Sequence, residues 1–251
     1  MNILINGIMG FMGREVYKLC EIGYLGAKFA AGVDVNAPIG TELNYYRNVK
    51  EADAELVDCI IDFSIHTATE ELLSFAKEKK LPIVLATTGH TDAEIGLIKK
   101  ASEDTAIFYS ANMSVGVALL LELCKTAVVA MPTAEIEIIE KHHTRKIDAP
   151  SGTAFMLADM IREVRTDAYT VLGRHGQGKR DKNEIGIHAV RCGNTVGEHE
   201  VIIATENQTV TLCHRAHSRT LFAEGAILAA KFLLGKKNGL YDMKSLLSEN
   251  G

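Results

Sequence analysis

The stretch Gly7-Ile8-Met9-Gly10-Phe11-Met12-Gly13 near the start of the chain decides the fold. It follows an apolar run at residues 2–6, which predicts a β-strand, and it precedes residues 14–21, which predict an α-helix. Glycines at such a turn let the backbone approach a pyrophosphate, whose charge then lies at the helix N-terminus. The spacing differs from the usual G-x-G-x-x-G, and an ordinary tight turn is the alternative. The strand–turn–helix context favours dinucleotide binding by residues 7–12.

Asp34 lies at the end of the next predicted strand. A carboxylate at this place accepts hydrogen bonds from the adenosine ribose hydroxyls, and a solvated strand-end acid is the alternative. A carboxylate also repels a ribose 2′-phosphate, and the next residues, Val35 and Asn36, bring no positive charge. The pattern therefore favours NADH, while NADPH stays possible because Lys28 or Arg47 can supply a positive charge from elsewhere.

Strand-like and helix-like segments alternate through the first half of the chain. The predicted strands at residues 2–6, 29–35, 57–64, 83–87 and 107–110 are short and apolar, which is typical of strands covered by helices on both sides. An amphipathic helix is predicted at residues 66–79, and Thr91 with Glu94 has the spacing of a capping box that opens another helix. This alternation predicts an α/β fold with a doubly wound parallel sheet.

Two later loops follow strands of the same sheet, Ala86-Thr87-Thr88 and Ser110-Ala111-Asn112-Met113. Ligands of parallel α/β sheets bind at the carboxyl edge of the strands. We therefore expect both loops to line the nicotinamide side of a cofactor, although each alone is also typical of an ordinary strand-to-helix connection.

The pattern changes after residue 115. A long helix at residues 115–130 leads to a strand at 134–142, a helix at 153–165 and a glycine-rich polar loop at 173–182. Strands then follow without helices between them, at 184–192, 199–204 and 209–214, and the last two read as an antiparallel hairpin. A final helix is predicted at 220–234. The chain thus divides into a parallel α/β domain and an α+β domain with a mixed sheet.

Composition excludes several classes of protein. The net charge of -5 argues against a nucleic-acid binder, and the longest apolar stretch, residues 115–131, contains Glu122 and Lys125, which argues against a membrane span. The first residues enter a predicted strand directly, so we expect no export and a cytoplasmic protein. The five cysteines form no C-x-x-C pair, and we expect buried or partly buried free thiols.

The densest chemistry lies in residues 140–153, EKHHTRKIDAPSGT, which leave a predicted strand and enter a predicted helix. Ser151 is a credible N-cap, and Gly152 and Thr153 would present free amides at the positive end of that helix. Lys146, Arg145 and two histidines add further donors. Such a site suits a small ligand with more than one carboxylate.

This segment also fits hydride transfer. Reduction of an unsaturated or imine carbon requires a proton at the neighbouring atom, and the imidazole of His142 or His143 can exchange one near neutral pH. Lys146 beside a dianionic substrate would stabilise developing negative charge. A solvated basic loop and a metal site are the alternatives, but adjacent histidines without further ligand spacing do not make a metal site, so no metal is expected.

The run His142-His143-x-x-Lys146-x-Asp148-Ala149-Pro150-Ser151-Gly152-Thr153 resembles the signature of the dihydrodipicolinate reductase family. Other elements match in order along nearly the whole chain: the loop ending Met12-Gly13-Arg14, Asp62-Phe63-Ser64, Thr87-Thr88-Gly89, Ala111-Asn112, Ser114-Val115-Gly116-Val117, Glu184-Ile185-Gly186, Val196-Gly197-Glu198-His199, Ser218-Arg219 and Phe222-Ala223.

The resemblance implies a Rossmann-type dinucleotide-binding domain of residues 1–113 and 219–251. It implies a second domain, residues 114–218, for substrate binding and tetramerisation. The implied oxidoreductase reaction reduces 4-hydroxy-tetrahydrodipicolinate with NADH or NADPH and loss of water, in diaminopimelate and lysine biosynthesis. The implied oligomer is a homotetramer.

The resemblance also implies residue roles. His142 would be the proton donor or acceptor and Lys146 the proton donor, while His143, Gly152 and Thr153 would bind the substrate. The implied dinucleotide contacts are Gly7, Ile8, Met9, Gly10, Phe11, Met12, Asp34, Ala86, Thr87, Thr88, Ser110, Ala111, Asn112 and Met113.

Four positions depart from the family pattern. Val35 stands where many members have a basic residue, which weakens the case for NADPH, and Ala86 replaces a glycine, which is tolerable if φ there is negative. Met113 replaces a common phenylalanine and His66 a frequent proline. The rivals are an amino-acid dehydrogenase of the diaminopimelate or aspartate type, and a dinucleotide-sensing regulator without turnover.

Overall fold

The computed structural model describes residues 1–38 and 44–249. The strands in this part of the chain are β1 (Asn2–Asn6), β2 (Lys28–Val33), β3 (Tyr45–Tyr46), β4 (Cys59–Asp62), β5 (Ile83–Leu85), β6 (Ala106–Tyr109), β7 (Glu135–His142), β8 (Tyr169–Leu172), β9 (Glu184–Arg191), β10 (Gly197–Ala204), β11 (Thr209–Ala216) and β12 (Gly239–Tyr241). The α-helices are α1 (Phe11–Glu21), α2 (Thr69–Lys79), α3 (Asp92–Ala101), α4 (Val115–Ala130), α5 (Gly152–Val164), α6 (Thr220–Leu233) and α7 (Met243–Glu249).

The chain forms two compact units, one of Met1–Ser114 with Thr220–Gly251 and one of Val115–Arg219. The first contains a sheet in the order β3-β2-β1-β4-β5-β6-β12, and every neighbouring pair is parallel. Chain order reverses between β1 and β4, which makes their carboxyl ends a topological switch point. This is the strand order of a Rossmann-type fold.

A layer of apolar side chains holds helices to this sheet. Leu4, Ile60 and Ile83 from three strands pack with Leu72 and Phe75 of α2 in one buried cluster. Burial of each such side chain stabilises the fold by about 1.5–3 kcal/mol. The rigid sheet therefore fixes the positions of the loops at its carboxyl edge.

The second unit contains a mixed sheet in the order β11-β10-β7-β9-β8. The strand β10 runs antiparallel to both of its neighbours, whereas β7, β9 and β8 are parallel. One face of the sheet packs against α4 and α5, with Ile138, Val201, Leu157 and Cys124 in the shared core. The alternation of buried and half-buried residues along β7 and β10 shows that the other face is less covered.

The fold class predicted from the sequence is confirmed. The bounds of α4 agree with the prediction, the hairpin of β10 and β11 forms, and Thr91 with Glu94 makes the predicted capping box. The prediction missed β3, β8, β12 and α7. Residues 66–79 form a short 3-10 turn before α2 rather than one helix.

The cysteine prediction is wrong in part. All five thiols are free, as expected, and Cys20, Cys59 and Cys124 are buried, but Cys192 and Cys213 are exposed. Burial raises the pKa of the Cys20 and Cys124 thiols to about 12, which keeps both groups protonated and unreactive. No helix in the described part of the chain has the length and apolar character needed to cross a membrane.

Candidate active site

The glycine loop connects β1 to α1 at the switch point. Gly7 has a φ of +82°, and a Cβ there would lie 2.6 Å from the carbonyl oxygen of Phe63. A Cβ on Gly13 would lie 2.1 Å from the carbonyl oxygen of Gly7. Both positions therefore require glycine, the first for its backbone angle and both for the close approach of neighbouring backbone.

The loop leaves the N-terminus of α1 suited to an anion. Gly10 is the N-cap and has no side chain to occupy the helix amides, and the first turn carries no acidic residue. The helix begins at Phe11, three residues earlier than predicted, so Phe11 and Met12 belong to that first turn. The amides and the helix dipole point towards positions that a pyrophosphate can occupy.

Asp34 follows β2 at the same edge and is joined to the glycine loop. Its Oδ2 accepts a hydrogen bond from the Met9 amide at 3.2 Å, and its Oδ1 accepts one from the Asn36 amide at 2.9 Å. Asp34 and Arg47 both line a cavity of about 370 Å³ that also includes Gly7. The cavity combines the glycine loop with the predicted ribose acid, which fits the sugar and phosphates of a dinucleotide.

The two basic residues that could bind a 2′-phosphate, Lys28 and Arg47, lie at opposite edges of the sheet. Lys28 begins β2 and is therefore at the amino edge, away from the cavity. Arg47 directly follows β3, and the register pairs Val33 with Tyr46, so Arg47 emerges beside Asp34. The Arg47 Nε donates to the carbonyl oxygen of Ala37 at 3.1 Å.

Two loops were predicted to line the nicotinamide side of a cofactor, and the first, residues 86–88, is only partly exposed. Ala86 and Thr87 are buried, and Thr88 is exposed. Among the described residues other than glycine, only Leu25 and Lys80 have a positive φ, so Ala86 is compatible with its position.

The loop after β6 is held by its own hydrogen bonds. Ser110 Oγ donates to the Asn112 carbonyl oxygen at 2.8 Å, and Asn112 Oδ1 accepts from the Ser114 amide at 2.9 Å. Ala111 is exposed, whereas Met113 is 2% exposed. Ile8 in the glycine loop is likewise 2% exposed. Ile8 and Met113 are therefore almost fully covered within the first unit.

Asp62, which the sequence analysis did not select for a role, joins three strand ends at this edge. The fully buried carboxylate accepts hydrogen bonds from Asn6 Nδ2 at 2.8 Å, Ser64 Oγ at 2.6 Å and Thr87 Oγ1 at 2.7 Å. Burial raises the pKa of Asp62, and the hydrogen bonds oppose that shift. Its place at the end of β4, beside the β1 end, is the sequence signal that was available.

The histidine–lysine cluster lies in the second unit, where β7 ends. The buried face of β7 carries Ile136, Ile138, Glu140 and His142 in alternation, so a carboxylate and an imidazole project from an otherwise apolar face. His143 follows the strand, and its Nδ1 is buried without a partner among the described residues. Lys146 Nζ pairs with Asp148 Oδ1 at 2.8 Å.

Helix α5 has Ser151 as its N-cap, as predicted, and begins at Gly152, one residue earlier than predicted. Ser151 Oγ accepts a hydrogen bond from the Ala154 amide at 3.3 Å and lies 2.9 Å from Nε2 of His199. Gly152 is exposed and Thr153 half-buried in the first turn. Arg145, expected among the donors of this cluster, instead donates to Asn194 Oδ1 at 2.9 Å.

Three residues that the sequence analysis did not place in the site complete the cluster. Glu140 accepts hydrogen bonds from both Nη atoms of Arg191 at 2.7 Å, and its Oε2 lies 2.6 Å from Nδ1 of His142. The ring of His199 meets that of His142 edge-on, with centroids 5.2 Å apart. The sequence signal for Glu140 was a charged residue at a position of β7 where the alternation predicts a buried side chain. Arg191 had no such signal, because only the pairing of β7 with β9 brings it to the cluster.

Burial controls the charges in this cluster. Burial lowers the pKa of His142, and the Glu140 carboxylate acts in the opposite direction. Burial also lowers the pKa of His199, to about 4, so that ring is neutral near pH 7. Burial acts to raise the pKa of Glu140, but the hydrogen bonds from Arg191 and His142 outweigh it and hold the pKa below its usual value.

The arrangement can bind and protonate an anionic ligand. It joins the N-terminus of α5, where the amides of Gly152 and Thr153 lie in the first turn, an ammonium and a neutral imidazole within one unit. Among residues 1–38 and 44–249, no group of three or more His, Cys, Asp or Glu side chains has the geometry to hold a metal ion.

Comparison with known proteins covers nearly the whole chain. Residues 1–113 match the family model of the dihydrodipicolinate reductase N-terminus, and residues 116–247 match that of the C-terminus. A 4-hydroxy-tetrahydrodipicolinate reductase of Caldanaerobacter subterraneus is 44% identical over 251 residues, which cover 99% of each chain. One from Clostridium novyi is 39% identical over 247 residues, covering 98% of this chain and 97% of the relative.

Solved structures agree with the fold. A dipicolinate-bound dihydrodipicolinate reductase from Paenisporosarcina superposes with a TM-score of 0.81 at 24% identity, covering 96% of this chain and 97% of that one. A diaminopimelate dehydrogenase from Corynebacterium glutamicum superposes with a TM-score of 0.58 at 13% identity, covering 97% and 92%. The second likeness shows that the rival dehydrogenases share the fold, whereas the family models separate them. The chain belongs to the dihydrodipicolinate reductase family.

Proposed function

We propose that this chain reduces 4-hydroxy-tetrahydrodipicolinate with NADH or NADPH, in diaminopimelate and lysine biosynthesis. One substrate molecule, one reduced cofactor and one proton give tetrahydrodipicolinate, the oxidised cofactor and water. The similarity along the whole chain to relatives that carry this name is the observation on which the proposal depends. The N-terminus of α5, whose first-turn amides can bind a carboxylate, supports the proposal, because the substrate is a dicarboxylate.

The proposed cofactor site is the carboxyl edge of the parallel sheet. When bound there, the nicotinamide supplies the hydride. The glycine loop, residues 7–12, would hold the pyrophosphate and Asp34 the adenosine ribose. The nicotinamide end would lie against Ala86, Thr87 and Thr88 and against the loop Ser110-Ala111-Asn112-Met113. Gly7 and Gly13 support this assignment, because glycine at both positions allows the tight turn that brings backbone amides of the loop close to the ligand.

The proposed substrate site is the cluster of the second unit. His143 and the amides of Gly152 and Thr153 would hold substrate carboxylates. Lys146 would donate a proton and stabilise negative charge, and His142 would exchange a proton through its Nε2. Since burial favours the neutral imidazole, His142 acts more readily as acceptor, and Lys146 as donor.

We further propose that NADH is preferred and NADPH is accepted. Asp34 disfavours a 2′-phosphate, and Val35 next to it is exposed without a charge. Arg47 at the same edge offsets part of that repulsion. Parallel titrations with the two cofactors test this preference separately from the activity.

A homotetramer in the cytoplasm is proposed as the working form. The less covered face of the mixed sheet bears Ile139, Ile202 and Cys213 together with charged side chains such as Glu137 and Glu200, and protein interfaces carry such a mixture. Free thiols suit a reducing compartment. Light scattering on the purified protein should give four times the chain mass; a monomer would contradict this part of the proposal.

The activity is tested with freshly made product of dihydrodipicolinate synthase. Purified protein should oxidise NADH, followed by the loss of its absorbance, only when that product is present. Diaminopimelate with the oxidised cofactor is the control for the rival dehydrogenase reaction and should give no turnover. The absence of turnover on the synthase product with both reduced cofactors would overturn the assignment.

A further inference from the structure

We propose that Glu140, held by Arg191, is a positioning residue that fixes the His142 imidazole with its proton on Nδ1 and joins it to the first turn of α5. The inference rests on the proposed function for its meaning in the reaction, since that function assigns His142 the proton exchange. The contacts of Glu140 lie within the second unit and do not depend on that function.

Glu140 is fully buried and its carboxylate is saturated with donors. Its Oε1 accepts from Arg191 Nη2 at 2.7 Å and from the Ser151 amide at 2.9 Å. Its Oε2 accepts from Arg191 Nη1 at 2.7 Å and faces His142 Nδ1 at 2.6 Å. A buried charge is stable only when paired and hydrogen-bonded, and here a bidentate arginine meets that need.

The saturated carboxylate determines the tautomer of His142. An ionised carboxylate only accepts hydrogen bonds, so Nδ1 must carry the proton in the bond to Glu140. The neutral ring then has its lone pair on Nε2, which is the atom free to exchange a proton. Nε2 lies over Gly197, where a Cβ would be only 3.0 Å away, and the missing side chain leaves that nitrogen uncovered.

The same carboxylate links His142 to the anion-binding helix start. The Ser151 amide donates to Glu140, and the Ser151 side chain caps α5, so any shift of Glu140 moves both the imidazole and the helix amides. Arg191 extends the link, because its Nη2 also donates to the Asp148 carbonyl oxygen at 2.6 Å. Asp148 in turn pairs with Lys146.

Three charged groups and one neutral ring surround His142. Burial lowers the pKa of His142, Glu140 raises it, and Lys146 and Arg191 lower it. The ring of His199 is in edge contact and is itself neutral near pH 7. Arg191 and Glu140 therefore shift the pKa of His142 in opposite directions, and Glu140 opposes the effect of burial.

The test measures the tautomer and the pKa of the His142 ring by ¹⁵N NMR on the whole protein. The signal of this ring is assigned by its absence in His142→Gln. In the unsubstituted protein the proton should be on Nδ1. Glu140→Gln should lower the pKa of His142 by about one unit or more and lose that tautomer preference, and Arg191→Met should raise the pKa by a similar amount. The corresponding limb of the pH profile of kcat/KM should move in the same two directions.

Glu137→Gln is the matched control. Glu137 lies on the same strand, on the opposite face, and also pairs with an arginine and a histidine, Arg180 and His188. This variant should leave the tautomer and pKa of His142 unchanged, because its carboxylate does not contact that ring.

Several results would overturn the inference. They are a proton on Nε2 in the unsubstituted protein, a Glu140→Gln variant that titrates like the parent, or an Arg191→Met variant whose His142 pKa stays the same or falls. If Glu140→Gln does not fold, Arg191→Met alone decides. Because the NMR readout needs no turnover, a protein inactive on the proposed substrate but titrating as expected would refute the function and leave the positioning role intact.

Discussion

Replacing Gly13 by alanine tests the cofactor half of the proposal at its tightest point. The new Cβ would lie 2.1 Å from the Gly7 carbonyl oxygen and 2.8 Å from the Ile8 Cα. An ordinary contact between carbon and oxygen is about 3.3 Å, so the backbone must move by roughly 1 Å. Overpacking of this kind costs about 1–3 kcal/mol, and the loop relieves it by leaving the shape that a dinucleotide needs.

Binding then has to restore that shape, so the cost appears in the affinity. At 1.4 kcal/mol for each factor of ten, we expect the Kd for NADH to rise about 5- to 150-fold. The assay is a titration of NADH fluorescence, with circular dichroism to show that the variant is folded. Gly10→Ala is a graded control, with its Cβ 3.2 Å from the same oxygen, and Gly96→Ala is a neutral one, with nothing within 4 Å. A folded Gly13→Ala protein with the parental Kd would refute the reasoning.

Three further changes probe other parts of the site. Gly197→Ala places a Cβ 3.0 Å from His142 Nε2 and should lower kcat about tenfold or more, with NADH affinity retained. Gly178→Ala is the control, because its Cβ has open space around it, and it should leave kcat unchanged. Equal kcat values in the two variants would contradict the placement of the His142 ring. Asp34→Ser should raise kcat/KM for NADPH relative to NADH, and an unchanged ratio in parallel assays would remove Asp34 from the ribose site. The pKa of His199 is lowered to about 4, so only the unfolded chain gains that proton as the pH falls from 6.5 to 4. The contribution of His199 to stability should therefore fall over this range by up to about 3 kcal/mol, measured by urea unfolding. His199→Gln should make the dependence of stability on pH shallower, while His142 and His214, whose pKa values are also lowered, retain part of it. The same slope in the variant would contradict the shift.

The parallel sheet was predictable because its central strands are apolar runs between amphipathic helices. Two of the missed strands are too short to show a period: Tyr45–Tyr46 has two residues and Gly239–Tyr241 three. They form because a neighbouring strand already presents its edge, which is a tertiary cause. The strand predicted at residues 57–64 ends at Asp62, whose carboxylate accepts hydrogen bonds from side chains at three strand ends.

The candidate site was predictable where chemistry is local. Ser151 caps the helix that follows it, and the glycine loop joins neighbouring elements, so sequence spacing was sufficient. Arg191 reaches Glu140 across 51 residues through strand pairing, and nothing in the sequence marks that contact. The inward side chains of Ile8 and Met113 were equally hidden, because a loop sequence does not show which way a residue faces.

The central claim is that the first unit binds the cofactor while the cluster of the second unit carries out the proton chemistry. The most direct test is to measure kcat and the Kd for NADH in His142→Ala and Lys146→Ala. We expect kcat to fall by about 10²- to 10⁴-fold in each variant, with the Kd for NADH within about twofold of the parent. Loss of NADH binding in either variant, or unchanged kcat in both, would contradict the account.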